Sequence, residues 1–330
     1  MTVVLFAGAV PDDVAARLAR FGQPVTVEST REEVIAEAAS DAIAIVARAN
    51  APITATVMAS APGLRVVARS GTGTDNVDLE AATERGIPVV VTPDAGTEAV
   101  AEGALSMLLA LGKRLPLLHS LTVAGRWAER DTVDVIDIAG SDVGIVGFGR
   151  IGRQVGRLVS ALGARVRVFD PYVASLGADT DAGKVEPVQT VDTFEEIFAS
   201  CEFVTLHLPL TEDTRGLVDE SVLGRCRPGT VLVNASRGGL IRSLDVLADA
   251  LDAGRLGGVG LDVYEPEPPD ANHRLFQSPR VIATPHMLAL SRAGRRRIFD
   301  EMCAGIEGVL DGGRTPSLAN PQVDGPQDPH

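Results

Sequence analysis

Short β-branched apolar runs alternate with alanine-rich stretches of helical period through the first hundred residues of the chain. The runs Val3 to Phe6, Ala42 to Val46, Leu64 to Ala68 and Pro88 to Val91 read as strands, and the segment near Asp12 to Arg20 reads as a helix. Such alternation predicts βαβ units and a parallel sheet. From Thr97 the period changes: Val100, Ala104, Leu108 and Leu111 fall on one face of a long helix, and Gly112-Lys113-Arg114 resembles its stop. After Trp127 a polar connection leads to a second alternating series, which opens with the strand Asp142 to Val146 and ends near Pro285. A last helical stretch, about Ser291 to Leu310, is expected to run back to the first domain. Gly312 to His330, with four prolines and almost no large apolar residue, is expected to be loose.

At 330 residues and 45% hydrophobic composition the chain is long enough for two cores with a cleft between them. Its 44 acidic and 30 basic side chains leave a formal charge of −14, a field that repels nucleic-acid backbones and anionic lipid. Neither nucleic acid nor membrane is therefore an expected partner. The three cysteines, Cys201, Cys226 and Cys303, lack any Cys-x-x-Cys spacing, so no disulfide framework and no metal site is expected. That usage suits a reducing cytoplasm. No apolar run approaches the roughly 20 residues that span a bilayer, and the chain begins on a strand without a basic leader. A soluble, unprocessed protein is the expectation.

The strongest single motif is Gly147-Phe148-Gly149-Arg150-Ile151-Gly152, which follows the apolar run Val143 to Val146 and opens an amphipathic segment through Leu162. Strand, turn and helix stand in the order that a dinucleotide-binding unit requires. Gly147 permits the tight turn, Gly149 lets a pyrophosphate approach the backbone, and Gly152 allows close packing of helix on strand. The next strand, Arg165 to Phe169, ends on Asp170, where a carboxylate can accept hydrogen bonds from both adenosine ribose hydroxyls. That carboxylate would repel a 2′-phosphate, and Pro171-Tyr172 supplies no cation, so NAD is expected rather than NADP.

Hydride transfer to a 2-keto acid needs a clamp for the carboxylate, a proton donor for the carbonyl oxygen, and a group that keeps the donor protonated. Asn234-Ala235-Ser236-Arg237-Gly238-Gly239 follows the strand Val231 to Val233 and places Arg237, whose planar fork suits a carboxylate, at a carboxyl end of the sheet. Leu261-Asp262-Val263-Tyr264-Glu265-Pro266-Glu267-Pro268 ends another strand in an acidic loop, and Ile282-Ala283-Thr284-Pro285-His286 ends the last one. Three chemically useful groups thus converge on one edge.

These motifs, with Arg69-Ser70-Gly71-Thr72-Gly73-Thr74-Asp75-Asn76-Val77-Asp78 and His207-Leu208-Pro209-Leu210-Thr211, resemble the D-isomer-specific 2-hydroxyacid dehydrogenase family over roughly residues 40 to 310. Its D-3-phosphoglycerate dehydrogenase branch is the most similar, in a short form without the regulatory domain of longer members. The resemblance implies an α/β fold, with a Rossmann-type dinucleotide-binding domain of 98–287 inserted in a flavodoxin-like substrate domain of 1–97 plus 288–316, and a flexible tail of 317–330. It implies that Arg237, Glu267 and His286 are catalytic, Glu267 pairing with His286 so that imidazolium is available to the ketone. NAD contacts would come from Thr72, Gly147, Gly149, Arg150, Ile151, Gly152, Asp170, His207, Leu208, Pro209, Ala235, Ser236, Arg237, Asp262 and His286, with Asp262 near the nicotinamide. Substrate contacts would come from Arg48, Arg69, Gly71, Thr72, Gly73, Arg237 and His286, the glycine loop offering backbone N–H groups to the carboxylate. A homodimer through the nucleotide domain is also implied, with Arg130 placed to reach across it.

Taken alone, each of these residues has a plain structural use: Gly71 to Gly73 as a turn, His207 as a packed histidine, Arg295-Arg296-Arg297 as a solvated helix face. The ordered set of motifs shifts the balance for the glycine loop, and leaves His207 a packed histidine beside the cofactor, with no chemistry assigned, and the arginine triplet where it was. The sequence departs from the family pattern at Thr92-Pro93-Asp94, where an Asn-containing entry is usual, and at Leu288, where a small residue is common. Asp94 facing the pocket would repel a phosphate. Glyoxylate, hydroxypyruvate or a sulfolactate-type acid therefore stands as an alternative substrate to 3-phosphoglycerate, and an NAD-sensing corepressor as the alternative of another class.

Overall fold

The computed structural model describes residues 1–48, 51–172, 188–313 and 317–323. The chain divides into two compact units, Met1–Gly96 with Arg292–His330, and Thr97–Ser291.

In the first unit five parallel strands, β1 (Val3–Ala7), β2 (Gln23–Val27), β3 (Ala42–Ala47), β4 (Val66–Arg69) and β5 (Val89–Val90), lie in the order β2-β1-β3-β4-β5. That is the flavodoxin-like order, with its switch point between β1 and β3. Consecutive side chains of β1 go to opposite faces. Val4 and Phe6 pack with Phe299, Met302 and Ile306 of the helix Arg292–Leu310, while Leu5 packs with Ile35 and Val57 from the helices Glu32–Ala38 and Ala55–Ala59. Both faces are covered, which is why β1 and β3 read as continuous apolar runs. Strand β2 escaped the apolar pattern because it is a sheet edge and none of its residues is fully buried.

The other edge corrects the expectation of a loose tail. Leu318 forms an antiparallel bridge with Val90, and the Ala319 N–H donates to the Val89 carbonyl at 2.8 Å. Asn320, 1% exposed, accepts the Val89 N–H at 2.8 Å through Oδ1 and donates to the Ile87 carbonyl at 2.9 Å through Nδ2. Residues 317–323 therefore satisfy backbone groups that an edge strand would leave open. Composition hid this because the attachment relies on hydrogen bonds rather than on a run of apolar side chains. Residues 314–316 and 324–330 of the expected tail lie outside the described residues.

In the second unit seven parallel strands, β6 (Asp142–Val146), β7 (Arg165–Phe169), β8 (Gln189–Thr190), β9 (Phe203–Leu206), β10 (Thr230–Asn234), β11 (Leu256–Leu261) and β12 (Val281–Ala283), run β12-β11-β10-β9-β6-β7-β8. Counted from β6, this is the doubly wound dinucleotide-binding order with one added strand, and direction reverses between β6 and β9. The helices Thr97–Gly112 and Arg150–Ala161 cover one face, burying Leu108, Leu111, Val155 and Val159 with Ile145 and Val231. Phe194–Ser200, Glu220–Arg225 and Leu244–Asp252 cover the other. Carboxyl strand ends are thereby gathered at one edge of a rigid sheet. Among the described residues no helix is long and apolar enough to cross a membrane.

Candidate active site

The switch point of the second sheet carries the glycine motif. Gly147 leaves β6 at φ +93°, a conformation that favours glycine, and a Cβ there would come within 2.7 Å of the His207 backbone at the end of β9. A Cβ on Gly152 would be driven into the Gly147 carbonyl, so this third glycine sets the contact of helix and strand. Gly149 differs from both. A Cβ on it would meet no atom within 4 Å, so its backbone faces open space at the N-terminus of the helix Arg150–Ala161. Asp170 stands beside this turn: Oδ2 accepts the Phe148 N–H at 2.7 Å and Oδ1 accepts the Tyr172 N–H at 2.8 Å.

His207 Nε2 lies 2.9 Å from the Thr205 hydroxyl, whereas Nδ1 is buried without a hydrogen-bond partner. Burial pushes the imidazole down to about 4, so it is neutral near pH 7. The next segment is tied to the neighbouring strand end, since the Ser236 hydroxyl donates to the Leu208 carbonyl. Asn234 closes its own turn, accepting the Ser236 N–H at 3.1 Å and donating to the Arg237 carbonyl at 2.8 Å. Ala235, Ser236 and Arg237 are thus presented on a braced loop rather than a mobile one.

At the far end of the same edge, His286 Nδ1 lies 3.0 Å from Glu267 Oε2, and the other Glu267 oxygen accepts the Tyr264 N–H at 3.0 Å. Partial burial raises the Glu267 carboxyl, but the hydrogen bonds from His286 and Tyr264 and the charges of His286 and Arg237 outweigh it and hold the group below its ordinary value. Glu267 is therefore a carboxylate, and Arg237 belongs to the same electrostatic neighbourhood. Arg237 itself donates one N–H to the Ser236 carbonyl at 2.8 Å.

Three further residues position this pair. Tyr264 places its hydroxyl 3.1 Å from the Leu261 carbonyl and 2.9 Å from that of Thr284, joining the ends of β11 and β12; burial and the charge of Asp262 push the phenol up to about 12. Thr284 donates from its hydroxyl to Asp262 Oδ1 at 2.6 Å. Leu288 packs against Gly103, where a Cβ would come within 2.7 Å of its side chain. Leu288 is therefore turned into the helix Thr97–Gly112. Asp262 was expected beside the cofactor; it is 2% exposed, and its oxygens also accept the Met287 and Leu288 N–H groups at 2.8 and 3.1 Å. Its place one step beyond the register pair Leu261 and Ala283 was the available signal.

In the first unit, Arg69 ends β4, with Nε donating to Asn76 Oδ1 at 3.1 Å and Nη1 to the Ser70 carbonyl at 3.0 Å. Gly71 follows at φ +151°, its carbonyl accepts the Thr92 N–H at 3.1 Å, and Thr72 and Gly73 continue the loop. Arg48 follows β3 and lies over the Phe299 ring at 5.3 Å. Arg130 stacks on the exposed Trp127 ring at 5.1 Å.

Residues 105–287 match the family described as D-isomer specific 2-hydroxyacid dehydrogenase, NAD binding domain. The chain belongs to this 2-hydroxyacid dehydrogenase family. Relatives include D-3-phosphoglycerate dehydrogenase of Mycobacterium leprae, 34% identical over 325 residues that make up 98% of this chain and 60% of the relative. The enzyme of that name from Methanocaldococcus jannaschii is 32% identical over 97% of this chain and 60% of its own length. The chain thus spans about three fifths of these curated relatives. Among solved structures, a Thermus thermophilus protein superposes with a TM-score of 0.85 at 31% identity, covering 96% of this chain and all of that one. An NAD-dependent formate dehydrogenase from Staphylococcus aureus in complex with NAD gives a TM-score of 0.82 at 26% identity, covering 95% and 97%.

The residues present fit the cofactor that the family description names. Gly149 leaves open space where a pyrophosphate would meet helix N–H groups, and the orphaned His207 Nδ1 is a buried polar atom still to be satisfied. Asp170 retains carboxylate lone pairs for ribose hydroxyls beyond the two backbone bonds it accepts.

Proposed function

We propose that the chain is an NAD-dependent dehydrogenase that interconverts a small D-2-hydroxy acid and its 2-keto acid, with 3-phosphoglycerate or a similar anionic hydroxy acid as substrate. The observation that carries this reading is the 3.0 Å pair of His286 and Glu267 on the sheet edge that also bears Arg237 and the glycine motif. NAD, when bound, supplies or accepts the hydride. Arg237 binds and orients the keto-acid carboxylate through its planar fork. His286 holds the proton for the carbonyl oxygen in reduction and receives the hydroxyl proton in oxidation, and Glu267 orients the ring and compensates its charge.

Arg48, Arg69 and the loop Gly71 to Gly73 are proposed to bind substrate, Thr72 also touching cofactor. Gly147 to Gly152, Asp170, and the loops that carry His207, Leu208, Pro209, Ala235, Ser236 and Asp262 are proposed to hold NAD. Asp262 then acts chiefly by shaping the His286 turn. A cytoplasmic homodimer is the proposed setting, with exposed Leu115, Val123 and Trp127 among the apolar residues available to a second copy. The test is an assay with NADH, and separately NADPH, against 3-phosphohydroxypyruvate, hydroxypyruvate, glyoxylate, pyruvate, 2-oxoglutarate and sulfopyruvate. NADH-dependent reduction, fastest with an anionic tail, is expected. NADH binding without turnover of any of them would overturn the reading.

A further inference from the structure

Three loops leave the carboxyl ends of β9, β10 and β11, and these strands are neighbours in the order β11-β10-β9, so the strand that carries the Arg237 loop is flanked by the other two. The loop after β9 is laid against the one after β10. The Gly216 N–H donates to the Gly239 carbonyl at 2.7 Å, the Val218 N–H to that of Leu240 at 2.9 Å, and the Arg242 N–H returns to the Val218 carbonyl at 3.0 Å. Towards β11, a Cβ on Gly238 would be driven into the Tyr264 carbonyl group, and Tyr264 is the residue whose N–H holds Glu267. Arg237, next to Gly238, thus stands on a loop pressed against the segment that orients the carboxylate of the His286 pair.

A single ion pair spans all three loops. Arg215, on the loop after β9, places Nη1 2.7 Å from each carboxylate oxygen of Glu265, which lies 50 positions on, in the loop after β11. The pair passes over Gly239: a Cβ there would be driven into Glu265 Oε2 and would come within 3.1 Å of Arg215 Nη1. The side chain that Gly239 lacks is therefore the room that the pair occupies. Its Arg215 end is held by a local turn, in which the Thr211 N–H donates to the Thr214 hydroxyl at 2.8 Å, that hydroxyl donates to the Pro209 carbonyl at 2.8 Å, and the Arg215 N–H donates to the Thr211 carbonyl at 3.0 Å. The two side chains are 56% and 48% exposed, so the pair adds little to global stability. What it does add is a link between the outer loops, across the middle one, which their separate strands do not provide.

We propose that Arg215 and Glu265 are positioning residues, a clasp that holds the loops after β9 and β11 against the Arg237 loop and so keeps Arg237 in register with Glu267 and His286. The clasp rests on the dehydrogenase reading above for its kinetic consequence, though not for its existence.

The test compares the full-length wild type with Arg215→Ala, Glu265→Ala and the double variant. Thermal melts, NADH affinity, steady-state reduction of the preferred keto acid and hydrogen exchange at the Gly216 and Val218 amides are measured in each. Both single variants are expected to lower kcat/KM for the keto acid roughly threefold to fivefold, the weight of one exposed pair, with melting temperature and NADH affinity nearly unchanged and with faster exchange at both amides. The double variant is expected to be no worse than either single one, because the second substitution removes a partner already lost. Additive losses, wild-type kinetics in the single variants, or unchanged exchange overturn the clasp. So do shifts of KM in opposite directions in Arg215→Ala and Glu265→Ala, which would mean that each residue acts on an anionic substrate through its own charge. If the wild type reduces no keto acid, the dehydrogenase reading fails and exchange alone decides: equal acceleration in both single variants and in the double one upholds the clasp, and any other pattern rejects it.

Discussion

The carboxylate of Asp262 accepts the N–H of Met287 at 2.8 Å, and through this bond it grips the chain just beyond the imidazole that does the proposed chemistry. His286 itself stands at φ +54°, a left-handed conformation that costs a non-glycine residue on the order of 1 kcal/mol or more. With Thr284 donating to the same oxygen and Leu288 to the other, Asp262 offsets that strain and fixes where the ring points. Exchanging Asp262 for Asn leaves one acceptor for three donors and sets an NH2 group against a backbone N–H. Asp262→Asn is therefore expected to lower stability by about 1–3 kcal/mol and kcat by roughly tenfold to a hundredfold. Thermal melts and steady-state kinetics check this; a variant with wild-type kcat would mean that the turn holds itself.

The same turn is braced from behind by Leu288 on Gly103. A methyl group at position 103 would force the Leu288 side chain aside, so Gly103→Ala should destabilise by about 1–3 kcal/mol despite the better helix propensity of alanine. Leu288→Ala opens the space that the methyl needs. The double variant should then be more stable than the sum of the two single losses predicts, by about 1 kcal/mol. Strict additivity in chemical denaturation would show that the contact carries no strain.

His207 gives a pH signature. Its folded-state value of about 4 lies below the ordinary 6.5, so between these the unfolded chain binds a proton that the folded chain refuses. The destabilisation is absent above about pH 6.5, grows as pH falls, and is complete below about pH 4, where it reaches roughly 3 kcal/mol. In urea unfolding series from pH 7.5 to 4, His207→Gln should lose stability less steeply than the wild type over this window. Parallel curves would place the ring in a more polar setting than its unpartnered Nδ1 implies.

Much of this organisation is legible in the sequence, and the gaps have physical causes. The buried strands β1, β3, β6 and β10 announce themselves because both faces are covered, whereas β2 and β8, at sheet edges, are partly exposed and carry weak patterns. The glycine motif is readable because backbone geometry dictates residue type at Gly147 and Gly152. Glu267 and His286 are 19 positions apart, and a family pattern rather than any local period couples them. Asp262 could be placed on the right edge but not given its partners, since these include backbone N–H groups, which leave no trace in side-chain identity. Asn320 was missed for the same reason: its bonds to Val89 and Ile87 answer the needs of an edge strand that only the assembled sheet reveals.

Arg237 contributes charge beside Glu267 and stands on a loop that Asn234 braces, so its removal should act on substrate rather than on folding. Arg237→Ala is expected to reduce kcat/KM for the keto acid roughly a hundredfold or more, with little change in NADH affinity. Lysine at this position, lacking the fork, should recover only part of the loss. Full recovery with lysine would show that a point charge suffices and that no bidentate clamp is made.

His286 is proposed to carry the proton for hydride transfer while the glycine motif and its neighbouring loops hold the cofactor. The most direct test measures NADH binding by fluorescence and keto-acid reduction by absorbance in the wild type and in folded His286→Ala. Nearly unchanged NADH affinity is expected, with a turnover lowered on the order of a hundredfold to ten-thousandfold. Turnover close to that of the wild type, or loss of NADH binding in the folded variant, would contradict it.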